Sequence, residues 1–190
     1  LIVTSARGEI NSTRMLSYDV KDYDTFLTLS PTLVSISSPL DTVTGYGLRL
    51  GWNRNLTNRW NFEGSFSQTF GTSEAGAGFG ALCSSLEAFA QYAISGQFES
   101  NERTVLFDNK PFINERRYRQ RVFSVGFGLM QLLLNGSTDV YPATGLGFSL
   151  SYDITLWNRL VRPSFRYGLL SGNSQDINLM ALDLAIMFDF

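Results

Sequence analysis

Apolar and polar residues alternate with a period of two along most of this chain. Near its C-terminal end Met180, Leu182, Leu184, Ile186, Phe188 and Phe190 share one register, and Ala181, Asp183, Ala185, Met187 and Asp189 share the other. One face is wholly apolar and the other mostly small or acidic, which predicts a strand with one side buried against something greasy. The same alternation runs through residues 161–169, with Val161, Pro163, Phe165, Tyr167 and Leu169 opposing Arg162, Ser164, Arg166 and Gly168. It also runs through 146–156, where Leu146, Phe148, Leu150, Tyr152, Ile154 and Leu156 oppose small and polar residues. Only "WNR" separates these two segments, so they form a hairpin.

Upstream, Phe123, Val125, Phe127, Leu129 and Leu133 oppose Ser124, Gly126, Gly128 and Met130. In the interval 82–98, Leu86, Ala88, Ala90, Tyr92 and Ile94 oppose Cys83, Ser85, Glu87 and Gln91, and Phe89 breaks the pattern. Two further strands follow from Trp60, Phe62, Phe66 and Phe70 and from Tyr46, Leu48, Leu50 and Trp52, and a less regular one, carrying Pro31, runs over 26–36. Together these predict about eight strands of roughly ten residues, joined in sequence by turns. "GTSEAGAGFGALC", "NGSTDVYPATG" and "SGNSQD" read as loops from their Gly, Ser, Asn and Pro content. No helix-period segment competes, and no second globular domain is visible.

Both faces of these strands must be assigned a solvent. The face opposite the large residues carries Gly, Ser, Thr and Asn with a few isolated charges, unlike the Lys- and Glu-rich outer face of a soluble sandwich. Such a face suits a narrow polar interior, with the apolar side turned to lipid. Trp52, Trp60, Trp157, Tyr46 and Tyr152 lie near strand ends, where they supply interfacial girdles. A soluble β-sandwich or lipocalin-like barrel is the competing architecture.

On these residues, and above all on the C-terminal strand, the chain resembles the small outer-membrane β-barrel proteins of Gram-negative bacteria, of the kind seen in the transmembrane domain of outer membrane protein A. The resemblance covers roughly residues 26–190 and is one of pattern, without a longer shared motif. It implies an all-β, antiparallel up-and-down transmembrane barrel of about eight strands in the bacterial outer membrane. It also implies that Leu182, Leu184, Ile186, Phe188 and Phe190 form the signal read by the barrel-assembly machinery. The expected organisation is an N-terminal periplasmic extension over residues 1–23 and a barrel over 24–190. A first residue other than Met suits a processed precursor or a truncated chain.

Composition narrows the chemistry. The 190 residues include no histidine and one cysteine, Cys83, and the formal net charge is −2. Nucleic acid is therefore not an expected partner, an internal disulfide cannot form, and zinc or Ser-His-Asp chemistry lacks its ligand and base. No run of eighteen apolar residues offers a membrane-spanning helix. "TVTGYG" resembles a potassium-filter sequence but lies within a strand, and "GAGFG" lacks the lysine and helix of a phosphate loop. Sequons such as "NST" carry little weight in a bacterial protein.

Charges of interior parity are more informative. Arg49, Glu63, Glu87, Asp153, Arg162, Arg166 and Asp183 predict a network filling the lumen, because buried charges persist when paired. An eight-stranded interior is just wide enough for side chains, which favours a stabilising plug over a gate or narrow pore. Catalysis by Glu63 and Glu87 alone is disfavoured by the nearby arginines, so the expectation is a non-enzymatic protein without cofactor or metal.

Three further readings concern the surface. Gly64, Gln68, Ala88, Ala90 and Gln131 interrupt the bulky outward face on neighbouring strands, predicting contact with another protomer in a ring-like homo-oligomer whose centre would hold lipid. The cluster Arg116, Arg117, Arg119 and Arg121 could grip lipid phosphate, but reads more readily as a solvated strand end. The charged segment 99–121 should not cross a membrane, since a midplane cation costs roughly 2–4 kcal/mol. It is therefore a long periplasmic turn, an inward plug, or a sign of a different strand count. A narrow diffusion pore for ions or small polar solutes is the alternative function, and an adhesin or lipid-binding module acting through the loops is a third.

Overall fold

The computed structural model describes residues 16–22, 24–39, 42–73, 81–98, 101–107, 110–117, 121–135, 140–157, 159–172 and 175–189. Its strands are β1 (Leu16–Asp22), β2 (Thr25–Ser37), β3 (Thr42–Asn55), β4 (Trp60–Ser73), β5 (Ala81–Ser95), β6 (Asn101–Phe107), β7 (Lys110–Arg117), β8 (Val122–Asn135), β9 (Val140–Leu156), β10 (Arg159–Gly172) and β11 (Gln175–Asp189). Eight of them close a barrel in the order β10-β11-β2-β3-β4-β5-β8-β9, with every neighbouring pair antiparallel. Closure leaves no exposed sheet edge and pairs the backbone polar groups with one another, as a wall facing hydrocarbon requires.

The register fixes the shape. A walk across paired residues from Phe26 through Asn53, Glu63, Phe89, Gly128, Gly147, Gly168 and Leu179 returns to β2 at Ile36, an offset of ten residues. Strands with that stagger tilt strongly, and eight of them enclose a space that side chains can fill. Alternation then places Thr28, Ser30, Thr32, Ser65, Ser67, Ser149 and Ser151 inside, and leaves Leu29, Leu48, Phe66, Leu129, Leu146 and Leu182 exposed outside.

Two prolines mark interruptions in the ladders. Pairing of β2 with β11 skips from Thr32 to Leu29, and pairing of β10 with β9 skips from Ser164 to Val161. Pro31 and Pro163 lie in those gaps and have no N–H to donate, while each keeps its pairing on the other side, with Leu48 and Leu184.

We call the barrel end where β2 begins and β11 finishes the terminal end, and the other the loop end. Segment 99–121 starts and finishes at the terminal end. It contains the hairpin β6–β7, which pairs with β1 to make a three-stranded sheet in the order β1-β6-β7, and none of these strands pairs with a barrel strand. The segment is thus a long connection carrying a small sheet, and the eight-strand count of the barrel stands. The same sheet takes in β1 from the extension before residue 24, so extension and connection are structurally joined.

Its root is well anchored. Ala93 N–H donates to Arg59 O at 2.9 Å and Phe98 N–H to Asn58 O at 2.8 Å. Arg59 Nη1 donates to the carbonyls of Ala93 and Gly96, both at 3.2 Å. Gly96 turns the chain with φ of 75°, and a Cβ there would lie 2.9 Å from Arg121 O. Glycine is therefore the residue that fits.

Strands reach into all three expected loops: residues 71–73 and 81–83 belong to β4 and β5, and Ser171, Gly172, Gln175 and Asp176 to β10 and β11. Residues 140–145, expected within the "NGSTDVYPATG" loop, belong to β9, because Val140 and Tyr141 pair with Asn135 and Leu134 of β8. Pro142 and Gly145 are accommodated there near the strand's loop end. "GAGFG", Arg119 and Phe190 lie outside the described residues, as do the side chains of Arg116 and Arg117.

Candidate functional site

The lumen holds the chemistry. All seven predicted inward charges are buried in it, and they connect into a single chain of alternating sign. Asp153 takes both Nε (2.5 Å) and Nη2 (3.0 Å) of Arg162, whose Nη1 reaches Glu63 Oε2 at 3.1 Å. Glu63 is also bonded by Arg49, which reaches Glu87 Oε2 at 3.5 Å. Glu87 is bonded in turn by Arg166, and Arg166 holds Asp183 through Nε at 2.7 Å and Nη2 at 2.8 Å. Every arginine stands between two carboxylates. The two end carboxylates are bound bidentately, the geometry in which a guanidinium pairs best.

Neutral groups complete the pairing. Gln91 donates to Glu63 at 2.5 Å and accepts from Asn61 at 2.8 Å and from Arg162 at 3.1 Å. Asn53 Oδ1 accepts from Arg162 at 2.8 Å, Ser85 donates to Glu87 at 2.8 Å, and Arg49 Nε donates to Ser65 at 3.1 Å. Burying charge in a protein interior is tolerated when its lone pairs and protons find partners; the carboxylates and guanidiniums find them here, while Asn53 Nδ2 and Asn61 Oδ1 beside them are buried without one. Glu63 and Glu87 each serve two arginines, so neither stands as an unengaged general base.

Apolar layers close both sides of this network. Toward the loop end, Val34, Ile36, Phe89, Met130, Leu132 and Leu179 form part of one buried cluster. Toward the terminal end, Phe26, Leu160 and Met187 form a second, and Ala93, Phe98 and Val122 a third. Phe89, the residue that broke the alternation, keeps inward parity and is completely buried. Its ring and Met130 lie against Gly147, where a Cβ would meet Met130 Sδ at 2.6 Å and Phe89 Cζ at 2.8 Å. Glycine on β9, the strand beside β8, thus makes room for two large side chains. The narrow gap beside Ser67, Glu87, Arg166 and Leu179 offers no position for a water molecule.

The outer wall is apolar but not uniform. In one register row Trp52 faces Gly64, Gly64 faces Ala88, and Ala88 faces Leu129. Two small residues between two large ones leave a furrow of about 900 Å³, walled by Leu50, Trp52, Phe66, Leu86, Leu129 and Leu146. Gly64, Ala88 and Gln131 line it, whereas Gln68 and Ala90 lie on adjacent rows beside it. At the C-terminal strand, Leu182, Leu184, Ile186 and Phe188 are exposed on the outside of β11.

Sequence reasoning missed the apolar layers. Their signal was present in the inward-parity residues Val34, Ile36, Met130, Leu132 and Leu179, but a period of two gives a face and no height within the barrel.

No family model and no curated protein matches the chain. Among solved structures it is similar to the crystal structure of Neisserial surface protein A, with a TM-score of 0.58 at 12% identity, covering 90% of this chain and 99% of that one. Weaker likenesses are to OprG of Pseudomonas aeruginosa (TM-score 0.47, 12% identity, 88% and 97% coverage) and Ail of Yersinia pestis (TM-score 0.41, 14% identity, 88% and 100% coverage). The chain therefore has the fold of the small eight-stranded outer-membrane barrels.

Proposed function

We propose that this protein is a non-enzymatic structural component of a bacterial outer membrane, a closed barrel whose lumen is a permanent plug. The observation that carries this reading is the seven-membered chain of alternating charges between apolar layers. An ion crossing the lumen would have to displace paired charges from their partners and then pass the packed side chains of the apolar layers. A narrow pore for ions or small polar solutes is the competing function, and electrical recording in planar bilayers separates the two. The plug predicts no current above the bare membrane, and discrete steps would favour the pore.

The second part of the reading is self-association. The furrow at Gly64 and Ala88 interrupts an otherwise bulky apolar wall, and small residues let another barrel's wall approach closely, which favours packing within a membrane. Contacts of this kind, repeated around an axis, give a ring of barrels. The space inside such a ring is bounded by apolar outer walls, so lipid fills it. Blue-native electrophoresis in mild detergent should show a mass several times that of one 21.2 kDa chain. A monomer across a range of mild detergents would refute the association while leaving the sealed barrel intact.

The apolar outer face of β11 supports one more proposal, that Leu182, Leu184, Ile186 and Phe188, followed in sequence by Phe190, present the signal to the assembly machinery. Replacing Phe188 by Ser should lower the yield of folded barrel in the membrane. Unchanged assembly would place the signal elsewhere.

A further inference from the structure

The two ends of the barrel differ in charge far more than the net value of −2 suggests. Outside the lumen, the arginines of the barrel strands and their tight connections, with the one that ends the 99–121 connection just before β8, are Arg54, Arg59, Arg159 and Arg121, all exposed and all at the terminal end. The four connections at the loop end, 38–41, 74–80, 136–139 and 173–174, contain no Lys or Arg in sequence and carry Asp41, Glu74 and Asp139. The chain's three tryptophans, Trp52, Trp60 and Trp157, also fall at the terminal end.

Cation and aromatic are paired in sequence at each place. Trp52 is followed two residues later by Arg54, Arg59 directly precedes Trp60, Arg121 stands two before Phe123, and Trp157 two before Arg159. Trp52, Trp60, Phe123 and Trp157 are themselves exposed. The rings suit the border between hydrocarbon and headgroups, and the guanidinium beside each sits one step further out. Two of the cations are held in place. Arg59 donates to two carbonyls, and the Arg159 guanidinium carbon lies 5.9 Å from the Phe188 ring centroid. The belt spans β3–β4, β8 and β10, and is broken at β11 and β2 by Asp189 and Asp24.

We infer that this terminal-end belt binds anionic phospholipid headgroups, so that the leaflet at that end is enriched in acidic lipid around the barrel. A planar guanidinium offers a phosphate two parallel donors, and a basic residue near a membrane surface attracts acidic lipid more than zwitterionic lipid. The inference rests on the membrane-barrel reading and names one lipid class for it.

The test is native mass spectrometry of the purified full chain in detergent micelles doped with equal amounts of phosphatidylglycerol and phosphatidylcholine, followed through a salt titration. Wild type should retain phosphatidylglycerol preferentially, and less of it as salt rises. The variant R54Q/R121Q/R159Q, which leaves the hydrogen-bonded Arg59 alone, should lose the preference, with retention falling about fivefold for each arginine removed. The loop-end variant D176N should behave as wild type. Equal retention of the two lipids by wild type, or unaltered preference in the triple variant, would overturn the inference. Displacement of the lipid by millimolar inorganic phosphate would also overturn it, by pointing to a site for free phosphate. Heat-modifiable electrophoretic mobility, scored on the same samples, reports the barrel itself, so a failure of the membrane reading appears separately.

Discussion

Removing Arg166 should be among the most damaging single changes in the barrel. Its guanidinium is bidentate to Asp183 at 2.7 and 2.8 Å, bonds Glu87, and donates to Thr32 Oγ1 at 3.3 Å. In Arg166→Met, Asp183 keeps a hydrogen bond from Ser164 at 3.2 Å but loses its cation, while its side chain stays buried. Glu87 fares better, because Arg49 and Ser85 remain at 3.5 and 2.8 Å. Breaking one side of a buried pair costs about 3–5 kcal/mol, mostly through the stranded charge. The double variant R166M/D183L removes that charge, and should recover about 1–3 kcal/mol of the loss as coupling between the two sites. Equilibrium urea unfolding in lipid vesicles, read by fluorescence of the three tryptophans, measures both values. A loss below about 1 kcal/mol for R166M would refute the sealed lumen, since only water reaching Asp183 could make the deletion so mild.

Gly147→Ala should destabilise the barrel by about 1–3 kcal/mol, because the new methyl overlaps Met130 and Phe89, and the loss should shrink in G147A/M130A. Ala88→Leu should fill the furrow and shift the blue-native band to the monomer without altering heat-modifiability; an unchanged band would move the interface elsewhere. Buried Cys83 should resist maleimide in the folded barrel and react after unfolding in urea, as mass spectrometry would show; ready labelling of folded protein would contradict the packed loop-side layer. Replacing residues 100–119 by a short turn should leave a folded, heat-modifiable barrel, because the small sheet pairs with none of its strands.

Much of this architecture is legible in the sequence, for a physical reason. A closed barrel between lipid and a polar interior imposes one strict alternation on every strand, and Trp60, Phe62 and Phe66 against Asn61, Glu63 and Ser65 obey it over the full wall. The inward charges follow from the same parity, and all seven are where the alternation puts them. Their partners do not follow. Arg162 meets Asn53 across 109 positions of sequence only because a ten-residue stagger brings β10 and β3 to the same level, and stagger leaves no mark in a single strand. Layering is hidden likewise. Met130 reads as the polar side of its strand until its height places it against Phe89 and Gly147. The sheet formed by β1, β6 and β7 was invisible because its strands are short and charged, and because β1 joins the β6–β7 hairpin only across a long stretch of chain, from Leu16 to Phe107 and from Asp22 to Asn101.

The central claim is that the lumen is closed, and single-channel recording tests it most directly. Purified protein, shown to be folded by its heat-modifiable mobility, is added to a planar bilayer in concentrated potassium chloride, with R166M as comparison. The account predicts a flat trace for wild type at moderate voltage, and openings only where the charge chain has been broken. Reproducible, voltage-independent conductance steps from folded wild type would contradict it, and would turn the alternating charges from a plug into the lining of a pore.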